Sequence, residues 1–127
     1  MADFTDAQYF LNRECTWVKF NERVLREAIV PSNPLLEQLN FIAIAASNLD
    51  EFFMIRVAGV KHLVESGVKH IDIAGMTPQE QFEAIQSMVH KLVGDQYRYY
   101  GDIQQKLQAH GLHFIGVDAL DDDQRLW

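Results

Sequence analysis

Side chains capable of metal chemistry or phosphoryl chemistry are scattered along this sequence. It contains five histidines, namely His62, His70, His90, His110 and His113. None has the HExxH spacing with which two histidines on one helix face bind zinc. We interpret them as solvent-facing and predict no metal site.

The usual local elements of a catalytic centre are not found in the sequence. The 7 glycines are dispersed, so no Walker or Rossmann loop, whose backbone amides cradle phosphates, can be built from neighbouring residues. No serine or cysteine nucleophile has a recognisable base. We therefore predict no catalytic residue within this chain.

One polar interruption raises a functional question, in the stretch AASNLDEFFMIRVAG. Ser47 and Asp50 have the spacing of a capping box, which predicts that a new helix starts there. Asn48 then has no evident structural duty. Its amide, beside the positive end of a helix dipole, suits the base or phosphates of a nucleotide. The alternative is a second helix cap, since Asn48 and Glu51 share the same spacing.

Two residues near Asn48 have two possible roles each. Phe41 lies seven residues earlier, two helical turns back, where it could stack on a base or simply join the core. Arg56 could bind a phosphate or pair with an acidic side chain. The residues alone leave both choices open.

The tyrosines Tyr97, Tyr99 and Tyr100 beside Arg98 could form a stacking surface for bases. We favour core packing on one side and an interface on the other. With 11 basic and 18 acidic residues, the formal net charge is -7. This balance argues against nucleic-acid binding, which depends on cationic neutralisation of phosphates.

Composition indicates a folded chain from a reducing compartment. The 127 residues are 48% hydrophobic, enough for one packed core. Cys15 is the only cysteine, so no intramolecular disulfide or cysteine zinc cluster is possible. We see no signal peptide and no run near the roughly 20 apolar residues of a membrane span. We expect a cytoplasmic protein.

The fold class predicted from periodicity is all-α, a small up-down bundle of three to four helices. Thr16 is predicted to cap the first helix, and Pro31 to stop it. Pro34 is predicted at the first position of a second helix that ends near Ala46, and a third helix follows from Leu49 to about Gly67. The predicted apolar stripes are Trp17, Phe20, Val24 and Ala28 for the first helix, and Phe53, Val57, Val60 and Val64 for the third.

The fourth helix has the clearest start signal. Thr77 is a cap, Pro78 suits the first helical position, and Glu80 completes a capping box. The predicted stripe, ending before Gly111, is Phe82, Ile85, Val89, Leu92, Gln96, Tyr99, Ile103 and Leu107. This helix should be roughly 45–50 Å long at a rise of about 1.5 Å per residue.

The domain boundaries follow from these elements. Residues 1–13 are a lead, 14–111 the helical domain, and 112–127 the start of a following domain that the chain does not complete. In the last segment, LHFIGV is predicted as a short strand and ALDDDQRLW as the beginning of a helix.

Three blocks of this sequence resemble the N-terminal domain of the bacterial polyphosphate kinase family. They are YFLNRECTWVKFNERVLREA, SNPLLEQLNFIAIAASNLDEFFMIRVAGV and GMTPQEQF. The family's first block usually has leucine and serine where this chain has Cys15 and Thr16, a mild departure to which we attach no function.

The resemblance implies the first domain of a much larger enzyme, which moves the terminal phosphate of ATP onto polyphosphate through a phosphohistidine. That histidine and the magnesium site belong to C-terminal domains, so none of the five histidines here takes that role. Asn48 matches the family's ATP-binding asparagine, and Phe41 resembles its aromatic near the adenine ring. ATP, polyphosphate, the enzyme's own C-terminal domains and further copies of the chain are the implied partners. The rival hypothesis is a purely structural helical module that docks domains and never contacts ATP.

Overall fold

The computed structural model describes residues 4–126. The lead and tail predictions therefore lie partly outside the described residues, at positions 1–3 and 127. Five α-helices are formed: α1 Arg13–Arg26, α2 Leu35–Phe52, α3 Ala58–Glu65, α4 Pro78–Ala109 and α5 Asp122–Arg125. Three short 3₁₀ turns are also present, at Ala7–Tyr9, Glu27–Ile29 and Val117–Ala119. The all-α prediction is confirmed.

Helices α2 and α3 form one continuous rod, because a π-helical turn, Phe53–Val57, joins them without leaving helical backbone geometry. Glu14, near the start of α1, reaches Arg56 on this rod, whereas Asn21 reaches the earlier Ala45. The rod therefore runs antiparallel to α1.

Helix α4 returns along both neighbours and completes an up-down-up bundle. Leu35 at the start of α2 lies beside Leu107 near the end of α4, and Phe53 lies beside Phe82 near its start. The 32 residues of α4 span about 48 Å at about 1.5 Å per residue. Its predicted length is confirmed.

The core lies between these three rods. Its fully buried apolar side chains are Val18, Leu25, Ala28, Ile42, Ala45, Leu49, Phe52, Val57, Val60, Ile85, Val89, Leu92, Ile103 and Leu107. The predicted stripe of α4 is largely confirmed, with Phe82 and Tyr99 half-buried against this core. The predicted stripe of α1 is confirmed for Ala28, which is buried, and in part for Trp17 and Val24, which pack against the core. It was wrong for Phe20, which is 55% exposed, and it missed the buried Val18, Asn21 and Leu25.

The predicted helix break at Ser47 was wrong. Ser47 and Asp50 lie on the exposed side of α2, inside a helix that continues to Phe52. Leu49 and Phe52 are buried in the core on the same helix, and this burial outweighs the low helix propensity of three short polar residues. The irregularity of the rod comes later, at the π-helical turn.

Two other helix starts differ from the predictions. Asn12, not Thr16, caps α1: its Oδ1 accepts the Cys15 amide at 2.9 Å, and its Nδ2 donates to Asp72 at 2.7 Å. Pro34 is the N-cap of α2 rather than its first residue. Asn12 is buried, so its tie to Asp72 in the α3–α4 connection fixes the beginning of α1.

The capping box of α4 and the ends of α3 and α4 are as predicted, whereas α1 ends at Arg26, before the predicted stop at Pro31. The Thr77 hydroxyl accepts the Glu80 amide, and the Glu80 carboxylate accepts the Thr77 amide at 2.8 Å. Gly67 and Gly111 follow α3 and α4 with φ of 66° and 82°, the left-handed conformation common just past a helix end.

The predicted strand was wrong, and the predicted terminal helix is confirmed as α5. Residues 112–116 have no regular structure, and residues 4–126 contain no strand with which they could pair. A single strand is not stable without such a partner. Asp121 and Gln124 form a capping box at the start of α5.

Candidate functional site

A cleft lies along α1 where the α2 rod passes into its π-helical turn. Its volume is about 210 Å³. The side chains that line it are Trp17, Phe20, Asn48, Glu51, Phe52, Ile55 and Arg56. The cleft therefore combines an amide, two side chains of opposite charge and aromatic surface in one place.

Asn48 is held by a relay of side-chain hydrogen bonds between α2 and α1. Its Nδ2 donates to Asn21 Oδ1 at 3.1 Å, and Asn21 Nδ2 donates to the Ala45 carbonyl oxygen at 2.9 Å. Asn21 is fully buried, whereas Asn48 is half-buried at the cleft. Among residues 4–126, the second N–H and Oδ1 of Asn48 have no hydrogen-bond partner.

The structural argument by which the sequence singled out Asn48, a polar residue at a helix start, was wrong. Asn48 lies well inside α2, whose N-cap is Pro34. Neither a capping role nor the positive end of a helix dipole applies there, because both act within the first turn. Its amide is instead oriented by Asn21.

Phe41 lies on α2 two turns before Asn48 and lines a neighbouring cavity of about 280 Å³. Phe20 lines both this cavity and the Asn48 cleft. Phe41 is half-buried and packs against the core, while Phe20 is 55% exposed. The two cavities thus form a continuous surface with Phe20 between them.

Sequence reasoning missed Phe20 and Asn21 as site residues. Both fell within the apolar helical pattern of α1, in which Phe20 was assigned to the core and Asn21 was not considered. A buried asparagine in such a pattern is itself a signal, since a buried amide requires partners.

Arg56 pairs with Glu14 rather than standing free in the cleft. Its Nη1 lies 2.9 Å from Glu14 Oε2 and 3.3 Å from Oε1, with the two side chains 31% and 15% exposed. Of its two possible roles, pairing with an acidic side chain is the one that the structure shows. With Glu51 also at the cleft, no excess positive charge remains there for a triphosphate.

The sequence matches a family model described as the polyphosphate kinase N-terminal domain, over residues 10–115. The chain belongs to the polyphosphate kinase family. The matched region contains all of α1 to α4 and every residue of the Asn48 cleft.

Polyphosphate kinases from several bacteria are similar to this chain. That of Halalkalibacterium halodurans is 49% identical over 97% of the chain, and that of Staphylococcus haemolyticus 52% identical over 85%. The chain spans only 18% and 15% of their lengths. That of Thermosynechococcus vestitus is 49% identical over 84% of the chain and 14% of its own length. No solved structure matches.

The tyrosines and Arg98 of this polyphosphate kinase domain, the other residues considered as a possible binding surface, do not line the Asn48 cleft. Tyr99 and Tyr100 pack against the core, whereas Tyr97 is 72% exposed. The Arg98 guanidinium lies 5.2 Å from the Tyr99 ring centroid and also pairs with Asp95.

Within residues 4–126, no three histidine, cysteine or acidic side chains are grouped as metal ligands would be. Nor does any helix there have the length and apolar character needed to cross a membrane.

Proposed function

We propose that this chain is the nucleotide-contacting N-terminal domain of a polyphosphate kinase, which transfers the terminal phosphate of ATP to polyphosphate. Family membership supports the reaction class. The observation that carries the nucleotide contact is the oriented amide of Asn48 beside aromatic surface in the α1–α2 cleft.

Asn48 is suited to contact the adenine base. With one N–H donated to Asn21, it retains a second N–H and Oδ1. An amide uses this pair to accept from the 6-amino group of adenine and donate to a neighbouring ring nitrogen. Such a bidentate contact is worth about 1–3 kcal/mol of discrimination.

Phe20 and Phe41 supply the apolar contact for the base. Phe20 is the more exposed of the two and lies between the cavities. Stacking of a base on an aromatic ring contributes about 1–3 kcal/mol. Phe41, packed on the core from the other side, supports the wall of this surface.

Other parts of the enzyme must hold the phosphates. Arg56 is already neutralised by Glu14, and phosphoryl transfer needs cationic groups, usually with magnesium, around the transferred phosphate. We assign those groups, the phosphohistidine and the magnesium to domains beyond this chain. One amide contact and one stacked ring together supply about 2–6 kcal/mol, little beyond an association cost of about 4 kcal/mol or more. The isolated domain should therefore bind ATP weakly at best, and without the phosphohistidine it should be inactive.

Steady-state kinetics of the full-length enzyme test this proposal. Asn48→Ala should raise the KM for ATP about fivefold or more, as loss of about 1 kcal/mol or more of base contact requires, with little change in kcat. Ser47→Ala is the matched control, since Ser47 is an exposed neighbour on α2 that does not line the cleft. An unchanged KM for Asn48→Ala would reject the nucleotide contact.

A second candidate function is domain docking without nucleotide contact. Met54 and Ile55, on the π-helical turn, are 71% and 65% exposed, and exposed apolar surface of this kind commonly marks an interface. Under this alternative, Met54→Ser should weaken assembly of the enzyme, and Asn48→Ala should leave ATP binding unchanged. Gel filtration and ATP titration of the two variants separate the candidates.

We also propose that the enzyme is a cytoplasmic homo-oligomer. The single cysteine, Cys15, suits a reducing compartment, and the exposed apolar residues of the π-helical turn offer contact surface. Sedimentation of the full-length enzyme would test the assembly, with a concentration-independent monomer as the contrary result.

A further inference from the structure

Asn21 is the most deeply buried polar side chain of the bundle, with 0% exposure. It lies among apolar residues on the inner face of α1, between Val18 and Leu25. A buried amide without hydrogen bonds is costly. Within the part of the chain that the structure describes, its amide has two hydrogen-bond partners, the Ala45 carbonyl oxygen and the Asn48 side chain.

The direction of these two hydrogen bonds is dictated by the backbone. The Ala45 carbonyl oxygen can only accept, so Asn21 must turn its Nδ2 toward it. Asn21 Oδ1 then faces Asn48, so Asn48 must donate to it from Nδ2. A flipped Asn48 would place two amide oxygens in contact, both acceptors without a proton to share.

The consequence concerns the part of Asn48 that remains for a ligand. Because its Nδ2 is engaged with Asn21, its Oδ1 is the acceptor left over. An acceptor at this place matches the 6-amino group of adenine. In the same pose the 6-oxo group of guanine, itself an acceptor, would face Asn48 Oδ1, and guanine could use the remaining N–H of Asn48 only by shifting out of that pose.

We propose that Asn21 is a positioning residue that fixes the amide orientation of Asn48 and thereby makes the cleft prefer a 6-aminopurine nucleotide to a 6-oxopurine nucleotide. This inference rests on the proposed contact between Asn48 and the base of ATP. Asn21 itself touches no substrate.

Kinetics of the full-length enzyme with ATP and GTP test the role of Asn21. Asn21→Leu keeps the branched shape and the number of side-chain heavy atoms but removes the relay. Asn21→Ser is too short to reach Asn48, and its hydroxyl can bond to a carbonyl within α1. Each variant should lower the ratio of kcat/KM for ATP to that for GTP about threefold to tenfold, the loss expected for one hydrogen-bonded orientation. The change should lie mainly in KM.

Gln38→Leu is the matched control for the loss of a buried amide. Gln38 is also buried on α2, but its Nε2 donates to the carbonyl oxygens of Val30 and Asn33, away from the cleft. It should change only the melting temperature and leave the ATP to GTP ratio unaltered. If Asn21→Leu and Asn21→Ser likewise lower only the melting temperature, Asn21 is a structural residue and the inference is overturned.

A double-mutant cycle separates this inference from the proposed function. Adding Asn21→Leu to Asn48→Ala should leave the nucleotide ratio as it is in Asn48→Ala alone, because Asn21 acts through Asn48. An additional loss in the double variant would contradict that route. If Asn48→Ala itself leaves the KM for ATP unchanged, the proposed function fails. If Asn48→Ala raises the KM for ATP but neither Asn21 variant changes the ATP to GTP ratio, the positioning role of Asn21 is refuted and the proposed function is not.

Discussion

The indole of Trp17 lies flat against the ring of Phe52, with ring centroids 4.1 Å apart and planes 1° apart. Trp17 lies on α1, and Phe52 is the last residue of α2. The pair lines the bottom of the Asn48 cleft and also joins the core. The same contact therefore holds α1 to the rod and shapes the candidate binding surface.

Replacing Phe52 should strongly destabilise the domain. Phe52 is 2% exposed, so Phe52→Ala leaves a cavity under Trp17 and should lower the free energy of unfolding by about 3–5 kcal/mol. Urea unfolding followed by tryptophan fluorescence measures this loss. The control is Phe53→Ala: Phe53 is 41% exposed and should cost well under half as much. Equal losses for the two variants would contradict the role given to the Trp17 contact.

The capping box of α4 should make stability depend on pH through Glu80. The backbone amide of Thr77, and then its hydroxyl, stabilise the Glu80 carboxylate and lower its pKa below the ordinary value. The stabilisation is therefore fully present above the ordinary glutamate pKa and is lost as pH falls through the lower pKa of the folded state. Glu80→Gln should melt below wild type at neutral pH, with a difference that shrinks on acidification. Glu83→Gln serves as control, and a pH-independent difference for Glu80→Gln would refute this explanation.

Two glycines of opposite conformation should respond oppositely to alanine. Gly111 has a φ of 82°, so Gly111→Ala should lower the free energy of unfolding by about 1–2 kcal/mol. Gly94 lies within α4, with open space where a Cβ would be. Gly94→Ala should raise stability by about 0.5–1 kcal/mol. Urea unfolding checks both, and a stabilising Gly111→Ala would contradict the left-handed helix end.

The elements marked by local chemistry were predictable from the sequence. Thr77 and Glu80 form a capping box through contacts within one turn, so no distant residue decides it. Gly111 likewise ends α4 as expected. The wrong predictions arose where distant packing decides the outcome. Ser47 to Asp50 continue α2 because Leu49 and Phe52 are buried against other helices, which propensity does not reveal.

The candidate site was predictable in part and for a reason that proved wrong. Asn48 was singled out as a residue without a structural duty at a helix start, yet it lies within α2 and bonds to Asn21. That partner is 27 residues away, beyond any local pattern. Phe20 was not recognised as a surface residue of the cleft, because the apolar pattern of α1 did not show which of several adjacent residues face the core. The domain boundary near residue 112 stays a prediction.

Calorimetric titration of ATP into full-length wild type and Asn48→Ala is the sharpest test of whether Asn48 contacts ATP. We expect about a fivefold or greater loss of affinity in the variant, with Ser47→Ala binding as wild type does. The isolated domain should bind ATP weakly or not at all. Equal affinity of wild type and Asn48→Ala would contradict the claim and leave this domain a helical scaffold.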